Sequence, residues 1–260
     1  MGESIKKRLE ASQPVYIFNI GAVPSAKIIE IAAASGGYHG VWIDQEHAAL
    51  SQQQIEILAM ACRSVGLDSY VRLAPTDYAT VMRAMEAGVG GIMAAQIRTV
   101  EEVRQIVKWA KFPPLGYRGL NLSNYEGGYT TADPAKFVEN CNRERWLSVQ
   151  IETAEAVQHV REIAAVEGID HLFIGPADLS LSLGVPGQYL HPRCIEAIEA
   201  VAAATKAAGK TWGILARGAE HAEQCRKLGC LLFAFGSDLS VLQLGFQRTR
   251  AVYQDFLGAG

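Results

Sequence analysis

His171-Leu-Phe-Ile-Gly-Pro-Ala-Asp178 is a short apolar run that enters a Gly-Pro turn, with Pro at a first helical position and an acid behind it. That is the outline of a strand handing over to a helix. Working outward, seven more runs of the same kind precede helical patterns: Val15–Ile20, Gly40–Asp44, Ser69–Leu73, Gly91–Ala95, Leu147–Ile151, Thr211–Leu215 and Leu231–Gly236. In the stretch 51–65, Ile55, Leu58, Ala59 and Cys62 recur at helical spacing, and Thr99 with Glu102 forms a capping-box pair that opens the next helix but one. A third helical stretch, 192–208, turns Ile195, Ile198 and Val201 to one face. Continuous apolar strands are buried on both faces, which means a parallel sheet covered by helices. Eight successive βα units predict an α/β fold, a closed (β/α)8 TIM barrel, in one domain over 1–260. An open doubly wound sheet is the competing arrangement, but no Gly-x-Gly-x-x-Gly follows the first strand.

The chain has 260 residues, close to the ~250 typical of such a barrel. A formal net charge of −3 gives no attraction to nucleic acid or to an anionic membrane, and no apolar run is long enough to span a bilayer. Five scattered cysteines make neither a disulfide framework nor a zinc ribbon, and the charged N-terminus is no secretory signal, so a cytoplasmic enzyme is expected. One interval breaks the regular spacing. Residues 111–146 carry Pro113, Pro114, Gly116, Gly119, Gly127 and Gly128, and read as a surface excursion or an active-site lid.

Chemistry in this architecture sits at the C-terminal ends of the strands, and the ionisable residues gather there. The second strand ends in Asp44-Gln-Glu-His47, the third carries Arg72, the fifth ends in Gln150-Ile-Glu152, the sixth in Gly175-Pro-Ala-Asp178 and the eighth in Gly236-Ser-Asp238. Glu152 and Asp178 lie on adjacent strands, about 4.8 Å apart. Two carboxylates that close repel unless a proton or cation joins them, and a hard Mg²⁺ or Mn²⁺ suits oxygen donors. Two helix-capping carboxylates facing solvent are the plain alternative. Backbone N–H groups in the turn Gly175-Pro176-Ala177, directly before Asp178, would be free to hold an anion. Arg72 is either an oxyanion stabiliser or the counter-charge of Asp44 or Glu152, and His47 is either a general base or a structural histidine. No lysine lies in a predicted strand, so Schiff-base chemistry lacks its nucleophile.

Trp42-Ile-Asp-Gln-Glu-His-Ala48, Arg83-Ala-Met-Glu-Ala-Gly88, Pro113-Pro-Leu-Gly-Tyr-Arg-Gly119, Val149-Gln-Ile-Glu-Thr153 and Phe173-Ile-Gly-Pro-Ala-Asp-Leu-Ser180 together resemble the HpcH/HpaI aldolase family, from about residue 15 to 245. That resemblance implies a class II, divalent-metal pyruvate aldolase, a carbon–carbon lyase that cleaves or forms 4-hydroxy-2-oxo acids through a metal-bound pyruvate enolate. Its partners would be a small 2-oxo acid and an aldehyde. The resemblance implies that Glu152 and Asp178 hold Mg²⁺ or Mn²⁺ (Co²⁺ also admitted), and that Arg72 steadies the enolate. Gln150, Asp44 and the Gly175–Ala177 backbone would bind substrate. His47, with Glu86 where the family usually has Asp, would move the hydroxyl proton. It also implies a homo-oligomer, a hexamer, with the last helix (239–256) exchanged between subunits. After the fourth strand, Ala94-Ala95-Gln96 departs from the family's usual Val-Pro. The alternatives are an oxaloacetate decarboxylase or macrophomate-synthase-like coupling enzyme, and a non-catalytic ligand-binding barrel.

Overall fold

The computed structural model describes residues 3–258. A short helix α1 (Ile5–Glu10), capped by Ser4, comes first. There follow β1 (Val15–Ile20), α2 (Ala26–Ser35), β2 (Gly40–Asp44), α3 (Gln52–Ser64), β3 (Asp68–Leu73), α4 (Tyr78–Glu86), β4 (Gly91–Ile97) and α5 (Val100–Ala110). The second half holds α6 (Pro134–Glu144), β5 (Trp146–Ile151), α7 (Ala154–Gln158), α8 (Val160–Ala165), β6 (His171–Ile174), α9 (Pro176–Ser182) and α10 (Pro192–Ala207). It ends with β7 (Thr211–Leu215), α11 (Ala219–Lys227), β8 (Leu232–Ser237), α12 (Asp238–Val252) and α13 (Gln254–Leu257). Each strand pairs in parallel with the next, and β1 pairs with β8. The barrel is therefore closed, and the open-sheet arrangement is excluded.

Alternation along the strands separates two cores. Ile43, Val71, Ile92, Val149 and Ile174 face outward and pack under the helices. Trp42, Tyr70, Met93, Trp146 and Phe173 face inward and fill the barrel, which α1 plugs from below with Ile5 and Leu9. The inward parity then continues upward: Asp44 is two residues beyond Trp42, Arg72 two beyond Tyr70, Gln150 and Glu152 two and four beyond Ser148. A period of two thus delivers the polar residues to one rim, above an apolar floor.

The 111–146 interval runs over the surface of the barrel's flank. It holds its own small core of Phe112, Phe137 and Cys141. It also leans on α4 and α5, with Gly119 N–H donating to the Tyr78 hydroxyl and Gln105 donating to Tyr117. None of it lines the cavity at the C-terminal rim. Among the described residues, no helix is long and apolar enough to cross a membrane.

Candidate active site

β2 and β3 bring Asp44 and Arg72 side by side in register. Arg72 Nε donates to Asp44 Oδ1 at 3.0 Å and one terminal nitrogen donates to Oδ2 at 2.6 Å. The other terminal nitrogen pairs with Glu46 Oε2 at 2.9 Å. The guanidinium lies 4.5 Å from the Trp42 ring. Asp44 Oδ1 also takes the backbone N–H groups of Glu46 and His47, which folds the loop back over the rim. Of the two places that sequence reasoning offered Asp44, substrate ligand and counter-charge of Arg72, the second is the one seen here. Arg72 has five N–H donors, so two remain free beyond the clamp. Glu46, whose role the sequence did not disclose, is its second anchor.

Glu152 stands one residue past β5 and is only 1% exposed. Its Oε1 accepts the backbone N–H of Gln96 at 2.7 Å, and its Oε2 accepts Gln150 Nε2 at 2.5 Å. Gln96 reaches it from a left-handed backbone conformation, φ 58°, where the β4–β5 register shifts. Non-glycine residues seldom adopt that conformation, and it clusters at functional sites. Burial pushes the Glu152 carboxyl up to about 7; the nearby Glu46 and Asp178 charges add to the rise, while the Gln96 N–H and Arg72 oppose it. Glu152 and Asp178 therefore share one electrostatic neighbourhood. Asp178 lies in the first turn of α9, and its carboxylate has neither hydrogen bond nor ion pair among the described residues.

Gly175 is needed for close approach. A Cβ there would collide with Gln150 Nε2 and come within 2.6 Å of Glu152 Oε2. Its own N–H is spent on the Ile151 carbonyl, so the anion-binding turn predicted over 175–178 shortens. Pro176 has no N–H, which leaves those of Ala177 and Asp178, and α9 has no capping side chain.

Asp44, Arg72, Gln150, Gly175 and Asp178 line a cavity of about 400 Å³ together with His47, Asn19, Arg217, Ser237 and Ser240, and Glu152, bonded to Gln150 and close against Gly175, lies behind that wall. A larger hollow of about 510 Å³ opens at the opposite face around Asp170, His171 and Lys210. The carboxylates, not the size, single out the rim. His47 is exposed, and its ring makes no hydrogen bond among the described residues.

Glu86 is not brought to His47 within one chain. It is the last residue of α4, and barrel helices run back toward the N-terminal face, whereas His47 follows the C-terminal end of β2. Its carboxylate accepts Asn121 Nδ2 at 2.9 Å instead.

The donor set fits a hard divalent cation. Each Glu152 oxygen accepts one hydrogen bond and keeps a second lone pair, Asp178 is uncommitted, and the buried Gln150 Oε1 has no partner. Among the described residues no three His, Cys, Asp or Glu side chains form a ready-made metal cluster. A hard divalent cation bound here would find two carboxylates, with its other positions open to water or substrate oxygens.

A sequence model of the HpcH/HpaI aldolase/citrate lyase family matches residues 19–243. The hydroxypyruvate/pyruvate aldolase of Delftia acidovorans is 34% identical over 244 residues, which cover 92% of this chain and 87% of that protein. The 4-hydroxy-2-oxo-heptane-1,7-dioate aldolase of Escherichia coli is 30% identical over 242 residues, covering 93% and 91%. The crystal structure of an HpcH/HpaI aldolase from Desulfitobacterium hafniense DCB-2 superposes with a TM-score of 0.91 at 30% identity, covering 97% of each chain.

Proposed function

We propose, on the premise that the chain belongs to the HpcH/HpaI aldolase/citrate lyase family, that its rim site breaks and makes the C3–C4 bond of 4-hydroxy-2-oxo acids with Glu152 and Asp178 holding Mg²⁺ or Mn²⁺. The relatives named above are aldolases, and HpcH/HpaI aldolases as a family depend in general on a divalent metal. The observation that carries the reading is the buried Glu152 carboxyl, facing Asp178 and Glu46 with acceptor capacity to spare. A divalent cation held there is a Lewis acid that draws electron density from the keto oxygen.

The chain's own residues do the rest. The free N–H groups of Ala177 and Asp178 and the Gln150 side chain orient the keto-acid carboxylate. His47 takes the proton from the C4 hydroxyl, through water, as the C3–C4 bond breaks. The bonding pair moves into the three-carbon half as an enolate, which the two remaining Arg72 donors stabilise, and C3 is then reprotonated. Trp42 and Phe173 form the apolar floor that keeps bulk water away. Glu86 has no place in this set within one chain.

A homo-oligomer, of hexamer size with the C-terminal helix exchanged, would cover the apolar side chains that α12 and α13 leave in solvent, such as Leu244, Phe246 and Phe256, the last 88% exposed. The five free, buried thiols suit the reducing cytoplasm. Exchange of pyruvate methyl protons in D₂O tests the reading without knowledge of the aldehyde. The expected result is exchange that requires Mg²⁺ or Mn²⁺; exchange indifferent to a chelator, or none with any divalent metal, contradicts it.

A further inference from the structure

The rim cavity is electrically divided. Its inner wall carries Asp178 and Asp44, the latter's charge already met by Arg72, with Glu152 behind Gln150. Its outer wall carries Arg217, just beyond β7, and the start of α12 at Gly236, Ser237 and Ser240. Arg217 forms no ion pair among the described residues, so it is the one arginine of the lining without a carboxylate partner.

This arginine is held in place. Its backbone N–H donates to Nδ1 of the buried His221 at 3.1 Å. Its guanidinium lies 5.4 Å from the Tyr189 ring, and Tyr189 in turn packs on His221 at 6.2 Å. The root and the tip of the side chain are thus fixed by one aromatic pair, which lowers the ordering cost of binding. The positive end of the fifteen-residue α12 adds to the field on the same side. Asp238, the acid nearest by sequence, spends its carboxylate on the N–H groups of Gly21, Val23 and Leu239 and does not line the cavity.

We propose that Arg217 is the specificity-determining residue of the mouth, and that it binds a carboxylate carried by the electrophilic half of the reaction. The acceptor is then an oxo acid rather than an uncharged aldehyde. This rests on the aldolase reading above and selects among the substrates that reading allows. A cavity of about 400 Å³ lies in the range that encloses a whole small ligand, so a three-carbon keto acid occupies only its inner part. A planar guanidinium matches a carboxylate with two parallel hydrogen bonds. One guanidinium with no lysine beside it balances a monoanion better than a phosphate dianion.

The test measures kcat and KM for aldol addition of pyruvate by the full-length protein with Mn²⁺. The acceptors are 4-oxobutanoate and its uncharged counterpart butanal. The wild type is expected to favour 4-oxobutanoate about 10- to 100-fold in kcat/KM, mostly through KM, as a charge-assisted hydrogen bond requires. Arg217→Ala brings that ratio close to 1, Arg217→Lys restores part of it, and Arg217→Glu inverts it. Because each variant is read as a ratio between two acceptors, a partial loss of folded protein cancels. A wild-type ratio near 1, or one that Arg217→Ala leaves intact, overturns the assignment. Absence of metal-dependent pyruvate exchange in the wild type instead removes the aldolase reading beneath it.

Discussion

The two ends of the barrel bury ionisable groups in very different company. At the N-terminal face, Asp68 accepts backbone N–H groups from Ile5 and Ser69, both at 2.7 Å. Asp170 accepts Lys6 and the Leu147 N–H, and Lys111 is closed off by the carbonyls of Arg145 and Asn142. Each of these charges is answered locally. At the C-terminal face, Glu152 and Asp178 are left with like charge opposite them and with lone pairs unspent. Surplus acid in a dry place is unfavourable unless something cationic joins it. The comparison teaches that burial of charge does not by itself mark a site. What marks it is burial without complete local compensation.

Substitutions at the two ends should therefore separate activity from stability. The largest effect is expected from Glu152→Gln, which keeps the shape but removes the charge. Metal-dependent turnover should fall by about 10³-fold or more, while the melting temperature holds or rises because a like-charge contact is relieved. A variant that is active but unstable would reverse the distinction. Arg72→Ala should damage both properties. Loss of an oxyanion donor costs about 10²–10³ in kcat, and stranding Asp44 and Glu46 costs about 3–5 kcal/mol in a urea melt.

At the other face, Asp68→Ala orphans two N–H groups and should lower unfolding free energy by about 1–3 kcal/mol with kcat unchanged. A kcat loss there would erase the contrast. The smallest effect near neutral pH belongs to His171, whose ring burial holds down to about 3. Unfolded, it takes up a proton below about 6.5. Stability is therefore complete above that pH and declines as pH falls from about 6.5 toward 3, by at most about 1.4 kcal/mol per pH unit. Replacing His171 with Gln should flatten that part of the stability profile, read by denaturant melts at several pH values.

Most of the barrel was legible because its strands read as apolar runs and its helices as 3.6-residue patterns, and all eight strands lie where those runs placed them. The differences are at the edges: β3 opens at Asp68, and β4 runs on to Ile97 through the left-handed Gln96. That positive φ is what aims an N–H at Glu152, and no sequence signal distinguishes it at a non-glycine residue. The polar residues of β2, β3, β5 and β6 were found at the rim because parity along a strand is fixed. The Arg72–Asp44 pair was among the sequence readings, but the Glu46 contact was not, since Glu46 reaches Arg72 from a loop whose path sequence does not specify. Arg217 was missed because it lies two residues past a strand end that carries no other charge. Within one chain Glu86 stays apart from His47 because it closes the helical run 78–86, and in a βα unit that end returns toward the N-terminal face.

The direct trial of the whole account is a Mn²⁺ titration followed by electron paramagnetic resonance, in the presence of pyruvate. The wild type should bind one ion per chain, and Glu152→Gln and Asp178→Asn should each abolish or severely weaken that binding. Undiminished binding in both variants would contradict the account, because the ion would then be held somewhere other than between these two carboxylates.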